Sequence, residues 1–284
     1  MNPLLNEDVE ISIAGVRQLH EISLKKYKVD LSIYALTSFK RRLVRFIETN
    51  DLINFDVLLK RIDKDEKLFA NLLTSLSVEV TEFFRDPALW RYFRDDIIPA
   101  LSRNHDSIKI WIPGCSTGEE VASTAIVLKE AGVLDRSEII ATDVTDDIIN
   151  SVKTKIYPPA KYEISEANYK RYMPESDGDF GKYVFNDKNG FKIPESLFKN
   201  VNCLKFDYSD ELKIRGINVI ICRNNFIYYT AQFQEKLLEL FSSKLAFNGY
   251  LIIGNKESIT WCKDMAKYTA VNENEKVYRK TSPY

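Results

Sequence analysis

The residues with the most evident chemistry in this sequence lie at one turn. The turn Gly114–Gly118 follows the apolar run Ile108–Pro113, and Glu119 and Glu120 come next, at the start of a predicted helix. A strand, a glycine turn and a helix in this order bring backbone amides close to a nucleotide-like ligand. The turn lacks both the lysine of a phosphate-binding loop and the GxGxxG spacing. The two carboxylates stabilise the helix dipole, but they also repel phosphate and favour a cationic ligand.

A further acid ends the next predicted strand. Asp143 lies 25 residues after Gly118, and an acid at this position accepts hydrogen bonds from ribose hydroxyls. A ribose, a cationic centre and no pyrophosphate together describe S-adenosylmethionine (SAM). These residues therefore favour SAM as the cofactor, with an NAD-dependent oxidoreductase as the alternative.

Two arginines are candidates for orienting a carboxylate. Arg85 stands in the stretch FFRDP, between aromatic residues and an acid, and Arg223 follows the apolar run INVIIC. A rigidly held guanidinium can bind a carboxylate through two hydrogen bonds. Neither His20 nor His105 lies at a predicted strand end, so the sequence predicts no histidine base.

Short apolar runs alternate with helical stretches in the second half of the chain. The runs IKIWIPG, EIIATDV, INVIICRN and YLIIGN predict βαβ units and a mainly parallel, buried sheet. Ligands bind at the carboxyl ends of such strands, where the glycine turn, Asp143 and Arg223 lie. The segment from Tyr157 to Asn200 interrupts the alternation, and KYVFNDKNGFKIPE within it predicts a hairpin of a small antiparallel sheet.

Residues 8 to about 75 show only helical periodicity. The stretch VDLSIYALTSFKRRLVRFIET predicts a helix with Ser32 as its N-cap. Its predicted apolar face consists of Leu36, Phe39, Leu43 and Phe46. Between Arg17 and Arg61 there are ten Lys or Arg residues and five Asp or Glu residues. This positive excess indicates either a solvated helical face or a docking surface for an acidic partner.

The composition excludes several classes of protein. The chain has 284 residues, of which 45% are hydrophobic and 29% charged, and its net charge of −1 gives no reason to expect a nucleic-acid partner. The sequence contains no apolar stretch of about 18 residues, so it predicts no membrane-spanning helix. The acidic N-terminus lacks a signal-peptide pattern, and four widely spaced cysteines indicate reduced thiols and no metal site. We therefore expect a cytoplasmic protein.

Taken together, the stretches VTEFFRDP, GCSTGEE, ATDVT, CRNNFIYY and GYLIIGNKES resemble the chemotaxis receptor methyltransferases, the CheR family. The resemblance implies a SAM-dependent protein-glutamate O-methyltransferase that releases S-adenosylhomocysteine (SAH). It implies an α/β protein with an all-helical N-terminal domain at 1–76 and a junction helix at 77–104. A Rossmann-like SAM domain at 105–284 would follow, with a small antiparallel β-subdomain inserted at about 157–200. The implied partner of a monomeric enzyme is the cytoplasmic helical domain or a tail peptide of a chemoreceptor.

The resemblance also implies which residues bind the cofactor. Thr81 and Arg85 would reach its methionyl end, Glu119 or Glu120 would hold its amino group, and Asp143 would bind its ribose. The full implied set is Glu79, Thr81, Arg85, Gly114, Cys115, Gly118, Glu119, Glu120, Asp143, Phe206, Asp207, Arg223 and Asn224. Phe206 or Asp207 would lie at the adenine edge, and Arg223 and Asn224 would cap the pocket. Arg85 and Arg223 are the catalytic candidates.

The chain departs from the family pattern next to several of these residues. The departures are Glu79 in place of Asn, Val121-Ala122 in place of Pro-Tyr, Asn225-Phe226 in place of Val-Leu, and Asn255-Lys256 in place of His-Ser. They keep two alternatives open. One is a methyltransferase that acts on a non-receptor protein, and the other is a signalling module that binds SAM or SAH without efficient turnover.

Overall fold

The structure is a computed structural model that describes residues 10–77, 81–174, 178–208 and 211–283. The chain divides into two compact units. The first takes in the chain up to Leu76 together with the segment Ile227–Gln234, and the second consists of Ser77–Phe226 and Glu235–Tyr284. All predicted site residues within the described ranges belong to the second unit.

Helices form the first unit. They are α1 (Ile13–Ile22), α2 (Leu36–Thr49), α3 (Phe55–Ile62) and α4 (Glu66–Ser77). Helix α2 buries Phe39, Leu43 and Phe46 as its pattern predicts, but Leu36 in its first turn is 45% exposed. The prediction of Ser32 as the N-cap is wrong, because α2 begins only at Leu36. The Asp30 carboxylate instead accepts the Ser32 N–H and caps a separate short 3-10 turn, Leu31–Ile33.

The segment Ile227–Gln234 is attached to the first unit by backbone and ring contacts. The N–H of Ala35 donates to the carbonyl of Tyr228 at 2.8 Å, and the N–H of Thr230 donates to the carbonyl of Ile33 at 2.8 Å. The Arg42 guanidinium lies 3.8 Å from the centroid of the Tyr228 ring, a cation–π contact. This attachment of a C-terminal segment to the helical part of the chain was not predicted from the sequence.

The second unit is built on strands. In the described ranges they are β1 (Ile108–Pro113), β2 (Ser137–Asp143), β3 (Ile156–Tyr157), β4 (Phe185–Asp187), β5 (Gly190–Lys192), β6 (Val201–Lys205), β7 (Ile217–Cys222), β8 (Leu245–Ile253), β9 (Tyr268–Asn272) and β10 (Val277–Lys280). The helices that follow α4 are α5 (Pro87–Tyr92), α6 (Ile98–Asn104), α7 (Glu119–Glu130), α8 (Asp146–Thr154), α9 (Tyr162–Tyr172), α10 (Glu195–Phe198) and α11 (Ala231–Lys244). None of the helices in the described ranges has the length and apolar character needed to cross a lipid bilayer.

Seven strands form one sheet in the order β6-β2-β1-β7-β8-β10-β9. Strands β6, β2, β1, β7 and β8 are parallel, and β10 is antiparallel to both of its neighbours. From β1 the chain first builds outward through β2 and β6, and then returns to the other side of β1 with β7 and β8. The strand order therefore reverses between β1 and β7, which opens a crevice at their carboxyl ends. The predicted Rossmann-like α/β fold is confirmed, although the prediction did not include β6, β9 and β10.

The inserted segment forms its own small sheet, in the order β3-β5-β4. The predicted hairpin is present, since Phe185 pairs with Lys192 and Asp187 pairs with Gly190. Strand β3 adds to the other edge of β5, and helix α9 lies between β3 and the hairpin in the chain. The predicted antiparallel insertion is confirmed, but neither β3 nor α9 was expected from the sequence.

One carboxylate anchors the insertion to helix α7. Glu130, the last residue of α7, accepts hydrogen bonds from the hydroxyls of Tyr169 at 2.5 Å, Tyr172 at 2.8 Å and Tyr183 at 2.8 Å. Burial, followed by the Glu130 carboxylate, raises the pKa of all three tyrosines. The hydroxyls therefore remain protonated donors at neutral pH, and charge-assisted hydrogen bonds of this kind are the stronger ones.

We expect Glu130→Ala to lower the free energy of unfolding by about 3 kcal/mol, because the hydroxyls of three buried tyrosines lose a charged acceptor at once. The measurement is urea denaturation followed by circular dichroism. Glu138→Ala is the control, since the partly exposed Glu138 carboxylate pairs with the partly exposed Lys109 at 3.7 Å, and the loss of a surface pair should cost less than about 1 kcal/mol. Equal effects of the two substitutions would contradict the anchoring role of Glu130.

Candidate active site

Two glycines shape the turn after β1. Gly114 has a φ of +67° and Gly118 a φ of +91°, a region that favours glycine. A Cβ atom at Gly114 would also lie 2.6 Å from Nδ2 of Asn225. The N–H of Cys115 donates to the carbonyl of Thr142 at 3.0 Å, which fastens the turn to the end of β2. Burial raises the pKa of the Cys115 thiol well above its usual value, so this side chain packs as a neutral group.

Asp143 ends β2 beside this turn and is only 4% exposed. One of its carboxylate oxygens accepts the N–H of Ser116 at 2.9 Å, and the other accepts the N–H of Val144 at 2.8 Å. Burial raises the pKa of Asp143, and the two N–H donors oppose that shift without cancelling it. Because each oxygen has a second lone pair, the carboxylate can still accept a hydrogen bond from a ribose hydroxyl.

Phe206 and Asp207 follow strand β6 next to Asp143. The N–H of Phe206 donates to the Asp143 carbonyl at 2.9 Å, and its buried ring meets the Trp111 ring edge-on, with centroids 6.1 Å apart. Asp207 is half-buried. The chain therefore brings an apolar ring and a further acid close to the acid expected to bind ribose, as the adenine end of a nucleoside requires.

Arg223, directly after β7, is at the centre of a buried ion-pair network. Its Nη1 donates to Oε2 of Glu120 at 2.8 Å, and its Nη2 donates to the carboxylate of Asp86. The Arg223 side chain is 1% exposed. Burial raises the pKa of Glu120, and the positive charges of Arg223 and Arg85 partly reverse that shift. Arg223 thus forms ion pairs that connect the carboxyl end of β7 with the first turn of α7 and with the junction, the segment 81–86 that precedes α5.

The junction before α5 has an unusual backbone. Phe84 and Asp86 have φ values of +50° and +58°, and such residues each cost about 1–3 kcal/mol unless their surroundings hold them in place. The N–H of Phe84 donates to Oγ of Ser123 at 2.9 Å, and the Trp90 indole donates to the carbonyl of Arg85 at 3.0 Å. The backbone of Arg85 is therefore held rigidly, and the turn directs Asp86 toward the ion-pair network.

The two consecutive glutamates have different surroundings. The Glu119 side chain is fully buried, where it accepts a hydrogen bond from Oγ1 of Thr117 at 2.5 Å and another from Nζ of Lys161. Nζ of Lys161 also donates to the carbonyl of Thr81 at 3.2 Å. Glu120 retains 17% exposure beside Arg223. Of the two glutamates, Glu120 is therefore the better candidate to hold the amino group of the cofactor.

Asn224 is held by an acid from the neighbouring strand end. The N–H groups of Asn224 and Gly254 both donate to Oε2 of Glu257, at 2.9 Å and 2.6 Å. Glu257 is buried and joins the ends of β7 and β8. Glu257 lies within the motif GYLIIGNKES, but its local pattern predicts no role for it. Lys161 was not predicted either, since an isolated lysine in PPAKY carries no local signal.

The described site residues fit SAM. Asp143 offers an acceptor for the ribose, Glu120 a carboxylate for the amino group, and Arg85 a guanidinium for the carboxylate. Within the described ranges, Oγ of Ser116 and Nε of Arg223 are buried without a protein hydrogen-bond partner, which leaves polar capacity at the turn for a ligand. Glu79, the remaining predicted residue of the set, lies outside the described residues.

Comparison with known proteins identifies the class. Residues 79–276 match the family model described as the SAM-binding domain of the CheR methyltransferases. With the acidic strand ends and the switch point of the sheet, this match defines a SAM-dependent methyltransferase domain.

Curated relatives extend the match to nearly the whole chain. A Pseudomonas putida protein named as the methyltransferase Cher3 is 32% identical over 97% of this chain and 98% of its own length. The chemotaxis protein methyltransferase of Listeria innocua is 27% identical over 89% of this chain and 92% of its own. The chemotaxis protein methyltransferase of Borreliella burgdorferi is 26% identical over 92% and 93%. The chain belongs to the CheR methyltransferase family, as its motifs predicted, and its cofactor is SAM.

We expect Asp143→Asn to weaken SAH binding at least tenfold, because an amide offers a ribose hydroxyl a weaker acceptor than a carboxylate does. Isothermal titration calorimetry measures the dissociation constant. The matched control is Asp146→Asn, since Asp146 lies three residues later, is exposed and pairs with Lys205. Wild-type affinity in the Asp143 variant would contradict the assignment of Asp143 to the ribose.

The raised pKa of Glu120 predicts a pH dependence of cofactor affinity. Only the carboxylate attracts the ammonium of SAM or SAH, so affinity is present above the pKa of Glu120 and is lost as the pH falls through it. Since burial raises this pKa, the loss should begin above the ordinary glutamate range of about 4.3. Calorimetry with SAH between about pH 8 and pH 5 measures the profile. A profile for Glu120→Gln that is as steep as the wild-type profile would contradict this role.

Proposed function

We propose that this protein transfers the methyl group of SAM to glutamate side chains of chemoreceptor-type proteins and forms glutamate methyl esters. The observation that carries the proposal is the buried pairing of Arg223 with Glu120 and Asp86 beside the cofactor turn. This pairing supports the proposal because it fixes Glu120 beside the turn and leaves Arg85, which is half-buried, as the arginine that can orient a carboxylate. Relatives named as chemotaxis protein methyltransferases support the choice of acceptor.

The proposed reaction needs no general base. A substrate glutamate has a pKa of about 4.3 and is already a nucleophilic carboxylate at neutral pH. The two histidines fit this view: His20 lies in α1, and His105 precedes β1 at the amino end of the strand, away from the carboxyl ends that form the site. The protein therefore contributes positioning and exclusion of water.

When bound, SAM supplies a sulfonium-borne methyl group for in-line displacement. The chain's own residues bind and orient the reactants. In the proposal, Asp143 holds the ribose, Glu120 holds the amino group, and Arg223 fixes Glu120 in position. Arg85, half-buried on its rigid backbone, orients a carboxylate of the cofactor or of the substrate.

The first unit offers a surface for the proposed partner. Arg41 and Arg45 are exposed on helix α2, within the stretch that carries an excess of positive charge. Methylation sites on chemoreceptor helices are glutamates, so the cytoplasmic helical domain of a receptor presents the complementary charge. Charge complementarity of this kind mainly raises the association rate and selects the partner.

The test is methyl transfer from radiolabelled SAM to cytoplasmic fragments of chemoreceptors, measured as base-labile label. We expect label on receptor glutamates and none on fragments whose methylation-site glutamates are replaced by alanine. We also expect Arg41→Glu with Arg45→Glu to lower kcat/KM for the receptor at least tenfold, with unchanged affinity for SAH. Absence of label on every receptor glutamate would contradict the proposal. If SAH binding persisted in that case, the module that binds SAM without turnover would be favoured instead.

A further inference from the structure

The inserted segment contributes a lysine to the surroundings of the cofactor turn. Lys161 ends a short 3-10 turn, Pro159–Lys161, and its ammonium group contacts both the Glu119 carboxylate and the Thr81 carbonyl. Its side chain is 24% exposed, whereas that of Glu119 is fully buried. Lys161 stands outside every motif of the site and is 42 residues from its carboxylate partner.

Glu119 connects this lysine to the glycine turn and to the junction. Its second carboxylate oxygen accepts the hydroxyl of Thr117, the residue before Gly118, at 2.5 Å. Its carbonyl accepts the hydroxyl of Ser123 at 2.7 Å, and the same hydroxyl oxygen accepts the N–H of Phe84 at 2.9 Å. A change in the position of Glu119 should therefore displace both the glycine turn, through Thr117, and the junction, through Ser123 and Phe84.

A second residue of the same segment packs directly behind the turn. Tyr157 is buried, and its hydroxyl lies 3.2 Å from the point where a Cβ atom of Gly118 would stand. Its ring meets that of Phe83 in the junction edge-on, with centroids 4.7 Å apart. Tyr157 and Lys161 therefore both link the inserted segment to the glycine turn and its helix on one side and to the segment 81–83 on the other.

We propose that Lys161 is a positioning residue for cofactor binding. Through Glu119 and Thr117 it fixes the glycine turn, and through the Thr81 carbonyl it fixes the segment that carries Arg85. Without the ammonium group the Glu119 carboxylate is a buried charge without a counter-ion, which is strongly unfavourable. Glu119 then moves toward solvent, and the turn moves with it. The inference rests on the SAM site of the proposed function and does not depend on which protein accepts the methyl group.

The test compares SAH binding by calorimetry with thermal stability in the ligand-free protein. Lys161→Met keeps the aliphatic stem and removes the charge, and we expect its SAH dissociation constant to rise at least tenfold. Lys161→Arg restores the positive charge and should bind within about threefold of wild type. Steady-state kinetics should show the loss in KM for SAM, with kcat nearly retained at saturating SAM.

Lys182→Met is the matched control. Lys182 also belongs to the insertion and also pairs with a carboxylate of α7, since its Nζ lies 3.5 Å from Oε1 of Glu130. Glu130 is at the opposite end of α7 from Glu119, about 16 Å away along the helix axis. This control should lower the melting temperature without changing the SAH dissociation constant.

The double variant Lys161→Met with Glu119→Gln removes the uncompensated charge. We expect it to melt closer to wild type than Lys161→Met does and still to bind SAH more weakly than wild type, because the Thr81 carbonyl has lost its donor. It provides the comparison if the single variant does not fold. Wild-type SAH affinity in Lys161→Met, or in the double variant if only that one folds, would overturn the inference whether or not the melting temperature falls. Weakened SAH binding in a protein that labels no receptor would uphold the role of Lys161 and contradict only the proposed acceptor.

Discussion

The candidate site depends on one buried arginine held between two carboxylates. Arg223 brings Asp86 of the junction and Glu120 of helix α7 to the carboxyl end of strand β7. Removing either acid would leave part of a buried positive charge uncompensated, at a cost of several kcal/mol. The left-handed backbone at Asp86 persists because this ion pair, together with the packing of the junction, stabilises it. The left-handed backbone directs the Asp86 carboxylate to Arg223, and the resulting ion pair in turn stabilises that backbone conformation.

The two adjacent acids at the start of α7, Glu119 and Glu120, have different surroundings and different roles. Consecutive residues of a helix point about 100° apart, so Glu119 and Glu120 cannot face the same surroundings. Glu119 is turned inward, to Thr117 and to Lys161 of the insertion, and contributes to the structure of the turn. Glu120 stays beside Arg223 with part of its surface open, and can take part in binding. The inserted subdomain is therefore joined to the cofactor turn by an ion pair as well as by the polypeptide chain.

Local patterns predicted the parts of the fold that depend on neighbours in sequence. Strands β1, β2, β7 and β8 are apolar runs bounded by turns, and the hairpin carries its own turn residues, so both were predictable. Strand β6 was missed because its residues are largely half-exposed and show no alternation. Lys161 and Glu130 acquire their roles through partners about 40 residues or more away, which no spacing rule reveals. Ser32 failed as an N-cap because α2 begins only at Leu36, and Ser32 lies instead within the short 3-10 turn that the Asp30 carboxylate caps.

The central claim is that this turn and its acids select SAM rather than a dinucleotide, and ligand-dependent thermal melting tests it most directly. A ligand at 100 times its dissociation constant stabilises the folded state by about 2.7 kcal/mol. For a chain of this size we therefore expect SAH to raise the melting temperature by about 5 °C or more, and NAD at the same concentration to leave it unchanged. A shift with NAD and none with SAH would contradict the account.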